Sequence, residues 1–166
     1  MASALQHAPI NEIGLVNDFA RVPEPRHPSA RRLLDYWQAV MARGDGFLVG
    51  RDVPAREIAP LLCNIMVNQP LADGTDIRVR LAGTSVRRRF ATIGKDTRLS
   101  ALFPAEDFRH HLAAGHEVVA TGRPIIVDSS LKRASVEELH MEVIILPILD
   151  RDRATPLLLV GVFYFG

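Results

Sequence analysis

Three histidines lie in a segment with helical apolar spacing, and imidazole is the side chain best suited to bind a metal or move a proton near neutral pH. They are His110, His111 and His116. At about 100° per residue, His111 lies about 60° from Phe108 at one edge of the apolar face, and His116 about 80° from it at the other. The two are about 140° apart, and the i, i+4 spacing of a helical zinc site is absent. No metal site is predicted, and a boundary histidine without a ligand is the simpler interpretation.

Arginines form a second group that could bind a ligand. Arg87, Arg88 and Arg89 are consecutive, and Arg78 and Arg80 alternate along a strand candidate. Guanidinium groups bind carboxylates and phosphates, so an anionic ligand is one hypothesis. Three consecutive helical residues point in three directions, however, and a solvated surface is the simpler interpretation. Few aromatic residues interleave with them, so we expect no nucleic-acid binding.

Known catalytic motifs are missing from the sequence. It contains no nucleophile elbow, no phosphate-cradling glycine loop and no metal cluster. The single cysteine, Cys63, excludes an intrachain disulfide, fits a reducing compartment and is expected to be an ordinary core residue. Glu138 and Glu142 lie on the polar side of a strand candidate, where charge discourages pairing between sheets. The sequence therefore predicts no enzyme, although an acid–base pair depends on geometry that spacing does not define.

The histidines belong to a predicted helix, Ala105–Thr121. It begins after Pro104 with Glu106 and Asp107, because carboxylates are favoured at the positive end of a helix dipole. It ends at Gly122, a residue type common just beyond helix ends.

Strand candidates occur before and after this helix. They are Cys63–Val67, Asp76–Ala82, Ile125–Lys132, Val136–Leu149 and Leu157–Phe165. In the fourth, Met141 and Val143 share an apolar face. Consecutive strands without intervening helices predict an α+β fold with an antiparallel sheet.

The N-terminal part divides at a proline-rich stretch. Residues 1–28 are predicted to be an arm or linker, because three prolines within 23–28 exclude a continuous helix. Residues 29–43 are predicted to form a helix with Ser29 as N-cap. Two interpretations of its apolar stripe stay open, packing on the chain's own core or a dimer interface. The interface residues would be Leu33, Leu34, Trp37 and Met41.

Composition limits the class of protein. The chain has 166 residues, 48% of them hydrophobic, and a net charge of +1. This predicts one domain with a sizeable core and no broad field to attract nucleic acid or anionic lipid. No apolar run approaches the roughly 20 residues that span a bilayer, and the N-terminus does not look like a secretory signal. The expected location is cytoplasmic.

Several local stretches follow one another in a characteristic order over about residues 30–165. They are Leu34-Asp35-Tyr36-Trp37, Arg51-Asp52, Ile58 with Leu61-Leu62, Arg80-Leu81-Ala82-Gly83-Thr84, Phe90, Leu102-Phe103-Pro104-Ala105-Glu106-Asp107 and Gly122-Arg123-Pro124. Together these stretches resemble a PAS domain of the PAS_5 subfamily, which is common among alphaproteobacterial stand-alone PAS proteins. One departure is Gly94-Lys95-Asp96-Thr97, where a Thr-Gly pair is expected.

The resemblance implies a PAS-like domain over residues 29–166. This fold has a five-stranded antiparallel sheet with helices over one face, and residues 29–43 would be an N-terminal flanking helix. A ligand would lie between the sheet and the long helix, in a cavity of roughly 300 Å³ or more. A filled core would instead indicate a pure interaction module. The expected pocket residues are Phe108, His111, Leu112, Gly115, Met141 and Val143.

Other PAS domains bind cofactors through particular residue types on the long helix or in the short helices. PAS oxygen sensors carry a haem-ligating histidine on the long helix, and only His111, or less well His116, has a suitable direction. Light-sensing PAS domains carry a reactive cysteine in the short helices, whereas residues 84–103 contain none. The cofactor is therefore left as unknown.

The resulting hypothesis is a single-domain sensory or regulatory module. It would form a homodimer or contact a signalling partner, with a possible small-molecule ligand and no membrane or nucleic acid. Two alternatives from other classes stay open. One is a small isomerase-like enzyme that uses the same pocket, and the other is a binder of anionic nucleotides through the arginines.

Overall fold

A computed structural model describes residues 16–90, 93–132 and 138–166. The strands are β1 (Val16–Val22), β2 (Ile65–Pro70), β3 (Ile77–Ala82), β4 (Ile125–Lys132), β5 (Glu138–Leu149) and β6 (Pro156–Tyr164). The α-helices are α1 (Pro28–Met41), α2 (Thr84–Arg89) and α3 (Ala105–Thr121), and two 3-10 helices span Arg56–Asn64 and Leu99–Ala101.

One antiparallel sheet with the strand order β1-β4-β5-β6-β2-β3 organises these elements. The predicted α+β fold is confirmed, but the expected number of five strands is wrong, because β1 adds a sixth. Val16 pairs with Lys132 and Val22 with Ile126, so β1 covers the edge that β4 would otherwise expose. An uncovered strand edge can pair with other chains, and β1 removes that edge of β4 from solvent.

The two faces of the sheet carry different helices. Helix α3, α2 and the second 3-10 helix cover one face, and α1 with the first 3-10 helix covers the other. The strands alternate accordingly. Met141, Val143 and Ile145 of β5 belong to the core under α3, whereas Ile144 and Leu146 belong to the core under α1. The helices expected over one face are therefore present, and the predicted N-terminal flanking helix, α1, covers the other face with the first 3-10 helix.

Helix α1 folds back onto the sheet of its own chain. Leu33 is fully buried there, and Leu34 and Trp37 are buried with it. The indole N–H of Trp37 donates to the carbonyl oxygen of Pro147 at 2.9 Å. These three side chains therefore pack on the core of their own chain, which is the first of the two interpretations of the helix. Met41, the fourth proposed interface residue, is 37% exposed.

The start of α1 differs from the sequence-based expectation. The N-cap is His27, whose Nδ1 accepts a hydrogen bond from the Ser29 N–H at 3.1 Å, so Ser29 is not the cap. Pro28 follows directly, which suits a first helical position that needs no N–H donor.

Glu142 of β5 is buried on the face of the sheet that α1 covers, contrary to expectation. Its side chain is 1% exposed, although it was expected on a polar surface of its strand. Its carboxylate accepts hydrogen bonds from the backbone N–H of Arg26 at 2.9 and 3.0 Å and from that of His27 at 3.0 Å. Glu142 therefore attaches the segment that leads into α1 to the middle of β5.

Helix α3 lies very close to the sheet at Gly115. A Cβ atom at this position would come within 2.8 Å of Ile77 Cδ1 and 3.0 Å of Leu158 Cδ1. The helix ends as predicted at Gly122, which has the left-handed backbone conformation (φ 67°) that glycine adopts without strain.

Candidate functional site

A cavity lies between α3 and the sheet. Its volume is about 70 Å³, and its walls are almost wholly apolar. Five strands contribute to it, together with α3 and the segment that contains Phe90, Leu99 and Phe103. The remaining lining residues are Met66, Asn68, Ile77, His111, Gly115, Ser129, Met141, Val143, Ile145, Leu158, Val160 and Val162.

Four of the six residues expected in the pocket line this cavity. They are His111, Gly115, Met141 and Val143. Phe108 and Leu112 do not line it, but they are half-buried and pack against the same core. Helical angles indicate which side of α3 faces the sheet, but the depth of each side chain also depends on how closely the helix approaches.

Two polar lining residues, Asn68 and Ser129, were not identified from the sequence. They are 2% and 3% exposed. Asn68 is followed by Gln69-Pro70, and Ser129 lies in the polar stretch Asp128-Ser129-Ser130, and both patterns are typical of turns. The alternation of side chains along a strand could have identified them, because residues two apart point to the same face. Asn68 is two residues after Met66, and Ser129 is two residues after Val127, and both of these apolar residues face the core under α3. Asn68 Oδ1 is buried and has no hydrogen-bond partner.

His111 is held between aromatic rings. Its ring centroid lies 4.4 Å from that of Phe103 and 5.4 Å from that of Phe19, with the second pair edge to face. Phe19 belongs to β1, so the added strand contributes to the surroundings of this helix. His111 Nε2 is buried without a hydrogen-bond partner. Burial lowers the pKa of His111 from 6.5 to about 4, with a smaller contribution from His110, so its imidazole is neutral at pH 7.

The pKa of His111 predicts a specific loss of stability in acid. The unfolded chain takes up a proton at this side chain near pH 6.5, but the folded chain does so only near pH 4. The stabilising contribution is therefore fully present above about pH 6.5 and is lost as the pH falls toward 4. We expect the free energy of unfolding to decrease by about 2–3 kcal/mol over this interval because of His111.

Urea unfolding between pH 4 and 7 measures this loss, with His111→Phe as the variant that cannot titrate. The difference between the wild type and His111→Phe isolates the contribution of His111, because carboxylates titrate in both. His110→Gln, which changes an exposed neighbour, is expected to keep most of the pH dependence. NMR titration of the His111 ring with a midpoint near pH 6.5 would contradict the prediction.

Arg89 and Tyr164 form a second polar group close to the cavity. The guanidinium carbon of Arg89 lies 4.6 Å from the centroid of the Tyr164 ring. Arg89 Nη1 and the Tyr164 hydroxyl are both buried without a hydrogen-bond partner. The other two arginines of the triplet, Arg87 and Arg88, are exposed. The triplet therefore does not converge on one ligand, as the helical geometry indicated.

No acid–base pair lines the cavity, and the described part of the chain forms no metal site. Among the lining residues His111 is the only titratable one, and no carboxylate faces the cavity. No group of three or more metal-ligating side chains occurs among the described residues. A haem or flavin does not fit a cavity of about 70 Å³, which is well below the roughly 300 Å³ of ordinary ligand pockets.

Comparison with known families agrees with this architecture. A family model, PAS_5, described as a PAS domain, matches residues 25–164. The chain belongs to the PAS domain family. Strands β4, β5, β6, β2 and β3 supply the five-stranded sheet expected of a PAS domain, and β1 is an addition at its edge. Members of this family act as sensory and regulatory modules.

No curated protein and no solved structure matches this PAS domain. Within the described residues, none of the helices has both the length and the apolar character needed to cross a membrane.

Proposed function

We propose that this PAS domain binds a small, mostly apolar molecule between α3 and the sheet and transmits its presence to a protein partner. The observation that carries the proposal is a pair of unpartnered buried polar atoms, Asn68 Oδ1 and His111 Nε2, in residues that line an apolar cavity. A buried polar group without a hydrogen bond costs about 1–3 kcal/mol. A mostly apolar ligand that brings a hydrogen-bonding group to these atoms would offset part of that cost.

The size of the cavity limits this ligand. One water needs about 10–15 Å³ of such a volume, so about 70 Å³ corresponds to about five to seven water-sized units. The ligand would then have about five to seven non-hydrogen atoms. The purified protein is accordingly expected to show no haem or flavin absorption band.

A route from the cavity to the surface runs through β5. Met141 and Val143 line the cavity, and Glu142 between them holds the backbone before α1 on the opposite face of the sheet. A ligand that displaces β5 would thus change how the start of α1 is attached. PAS domains often dimerise through a helix N-terminal to the core, and a second copy or a signalling protein at α1 is the partner we propose.

Asn68→Leu is expected to separate a binding role for Asn68 from a structural one. Leucine removes an unpartnered amide of similar volume, so we expect the free energy of unfolding to increase by about 1–2 kcal/mol. Urea unfolding without added ligand measures the change. If Asn68 stabilised the fold through its amide, the same substitution would decrease the stability.

The proposed function is tested by an absorption spectrum, followed by mass spectrometry and NMR of molecules released when the protein is unfolded. Release of a small molecule from the wild type, with little from Asn68→Leu, would support the proposal. Gln38→Leu, which makes the same amide-to-leucine change at an exposed position outside the cavity, serves as the matched control. A haem or flavin band would contradict the proposed ligand size. If no small molecule is released and none shifts the NMR spectrum, a pure interaction module would be supported instead.

A further inference from the structure

Arg89 and Tyr164 indicate the chemical class of the ligand, provided that the proposed function is correct. Both residues adjoin the cavity. Phe90, next to Arg89, is a lining residue. Tyr164 lies opposite Met141 in the β5–β6 register and two residues beyond Val162, and both of these neighbours line the cavity. Tyr164 packs against the same core.

Arg89 carries a charge that the described protein does not neutralise. A guanidinium group stays protonated in proteins. Arg87 and Arg88 extend into solvent, but Nη1 of Arg89 is buried. Among the described residues, no carboxylate forms an ion pair with Arg89. Its guanidinium group makes a cation–π contact with the Tyr164 ring. Such a contact stabilises a cation but supplies no acceptor for the buried N–H groups of Nη1.

Tyr164 supplies a neutral donor beside this cation. Burial raises the pKa of Tyr164 to about 12, although the Arg89 guanidinium acts in the opposite direction. The phenol therefore keeps its proton at neutral pH and can donate it in a hydrogen bond. A cation and a neutral O–H donor, both without an acceptor, match the oxygens of an anion.

We infer that the ligand is a small monocarboxylic acid, bound as the carboxylate, with its oxygens at Arg89 and Tyr164 and its apolar part in the cavity under α3. The single unpaired cation at this position favours one negative charge, whereas a phosphate would bring more charge and need more donors. The apolar strand residues that line the cavity favour a mostly hydrocarbon remainder, with at most one hydroxyl group to meet Asn68 Oδ1 and His111 Nε2. The cavity volume limits that remainder to a few carbon atoms.

The test compares acids with amides of the same shape, because an amide has nearly the same volume and no charge. Propanoate with propanamide, butanoate with butanamide, and pentanoate with pentanamide are titrated into the full chain at pH 7. Calorimetry measures the affinity, and NMR shifts of Met141 and Val143 show whether binding occurs at the cavity. We expect at least one acid to bind about ten- to a hundredfold more tightly than its amide.

Arg89→Met is expected to remove the preference for the acid while leaving the affinity for the amide nearly unchanged. Arg88→Met, on the same helix but at an exposed position, is the matched control and should retain the preference. Tyr164→Phe should reduce the preference without abolishing it. Without ligand, Arg89→Met should melt at the same temperature as the wild type or higher, because it removes a half-buried charge that has no ion-pair partner among the described residues. A large decrease would indicate a structural role and would overturn the inference.

The outcomes distinguish this inference from the proposed function. If the amides bind at the cavity as tightly as the acids, or if Arg89→Met keeps the preference, the carboxylate inference is wrong and the proposed function stands. If neither class shifts Met141 or Val143 in the wild type, both are contradicted.

Discussion

Replacing Trp37 with alanine is expected to lower the free energy of unfolding by about 3–5 kcal/mol, the range for truncating a large buried aromatic residue. The side chain is 7% exposed and packs on the sheet beside Leu33 and Leu34. Its truncation also leaves the carbonyl oxygen of Pro147 without the indole donor. Urea unfolding measures the change, and Met41→Ala on the same helix is the control, with an expected effect below about 1 kcal/mol.

Protein concentration distinguishes core packing from a dimer interface at this position. If Trp37 packs on its own chain, the loss caused by Trp37→Ala is the same at low and high protein concentration. If Trp37 were the anchor of a dimer, the unfolding midpoint of the wild type would rise with concentration and that of the variant would not. The concentration-dependent result would contradict the packing of α1 described above.

Replacing Glu142 with alanine is expected to lower the free energy of unfolding by about 3–5 kcal/mol, because the backbone N–H groups of Arg26 and His27 lose their charged acceptor. Urea unfolding measures the total change. Hydrogen exchange should show faster exchange at the backbone of residues 26–31, where the carboxylate attaches α1. Glu142→Gln keeps one acceptor oxygen and should lose roughly half as much.

Glu117→Ala is the matched control for Glu142. Glu117 is an exposed carboxylate that pairs with Arg21 across α3 and β1. Exposed ion pairs contribute about 0–1 kcal/mol, so this substitution should change stability little. If both alanine variants lost the same amount, the hydrogen bonds of Glu142 would not be what attaches α1. The proposed route from β5 to α1 would then lose its basis.

Local sequence signals were sufficient for the elements that form the walls of the cavity. The predicted bounds Ala105–Thr121 and Ile125–Lys132 are those of α3 and β4. Acidic residues at one end and Gly122 at the other define the helix through interactions within a single turn. The alternation of Met141 and Val143 defined the inner face of β5 in the same way. The order of these elements, with several short stretches, was enough to indicate the PAS family, which is confirmed over residues 25–164.

Contacts between residues far apart in the sequence decided the position of β1 and the burial of several polar side chains. Residues 16–22 have no strong strand pattern, and they form β1 because β4 offers an unpaired edge about 110 residues further along the chain. Glu142 is buried because its acceptor oxygens meet two backbone N–H groups ahead of α1. Asn68 and Ser129 face the cavity because strand register places them there, although their residue types resemble those of turns. The sequence by itself determined most of the helices and strands, but not β1, and the family, since those depend on neighbouring residues. Only the tertiary structure decided which polar groups are buried without partners, because a partner can come from any part of the chain.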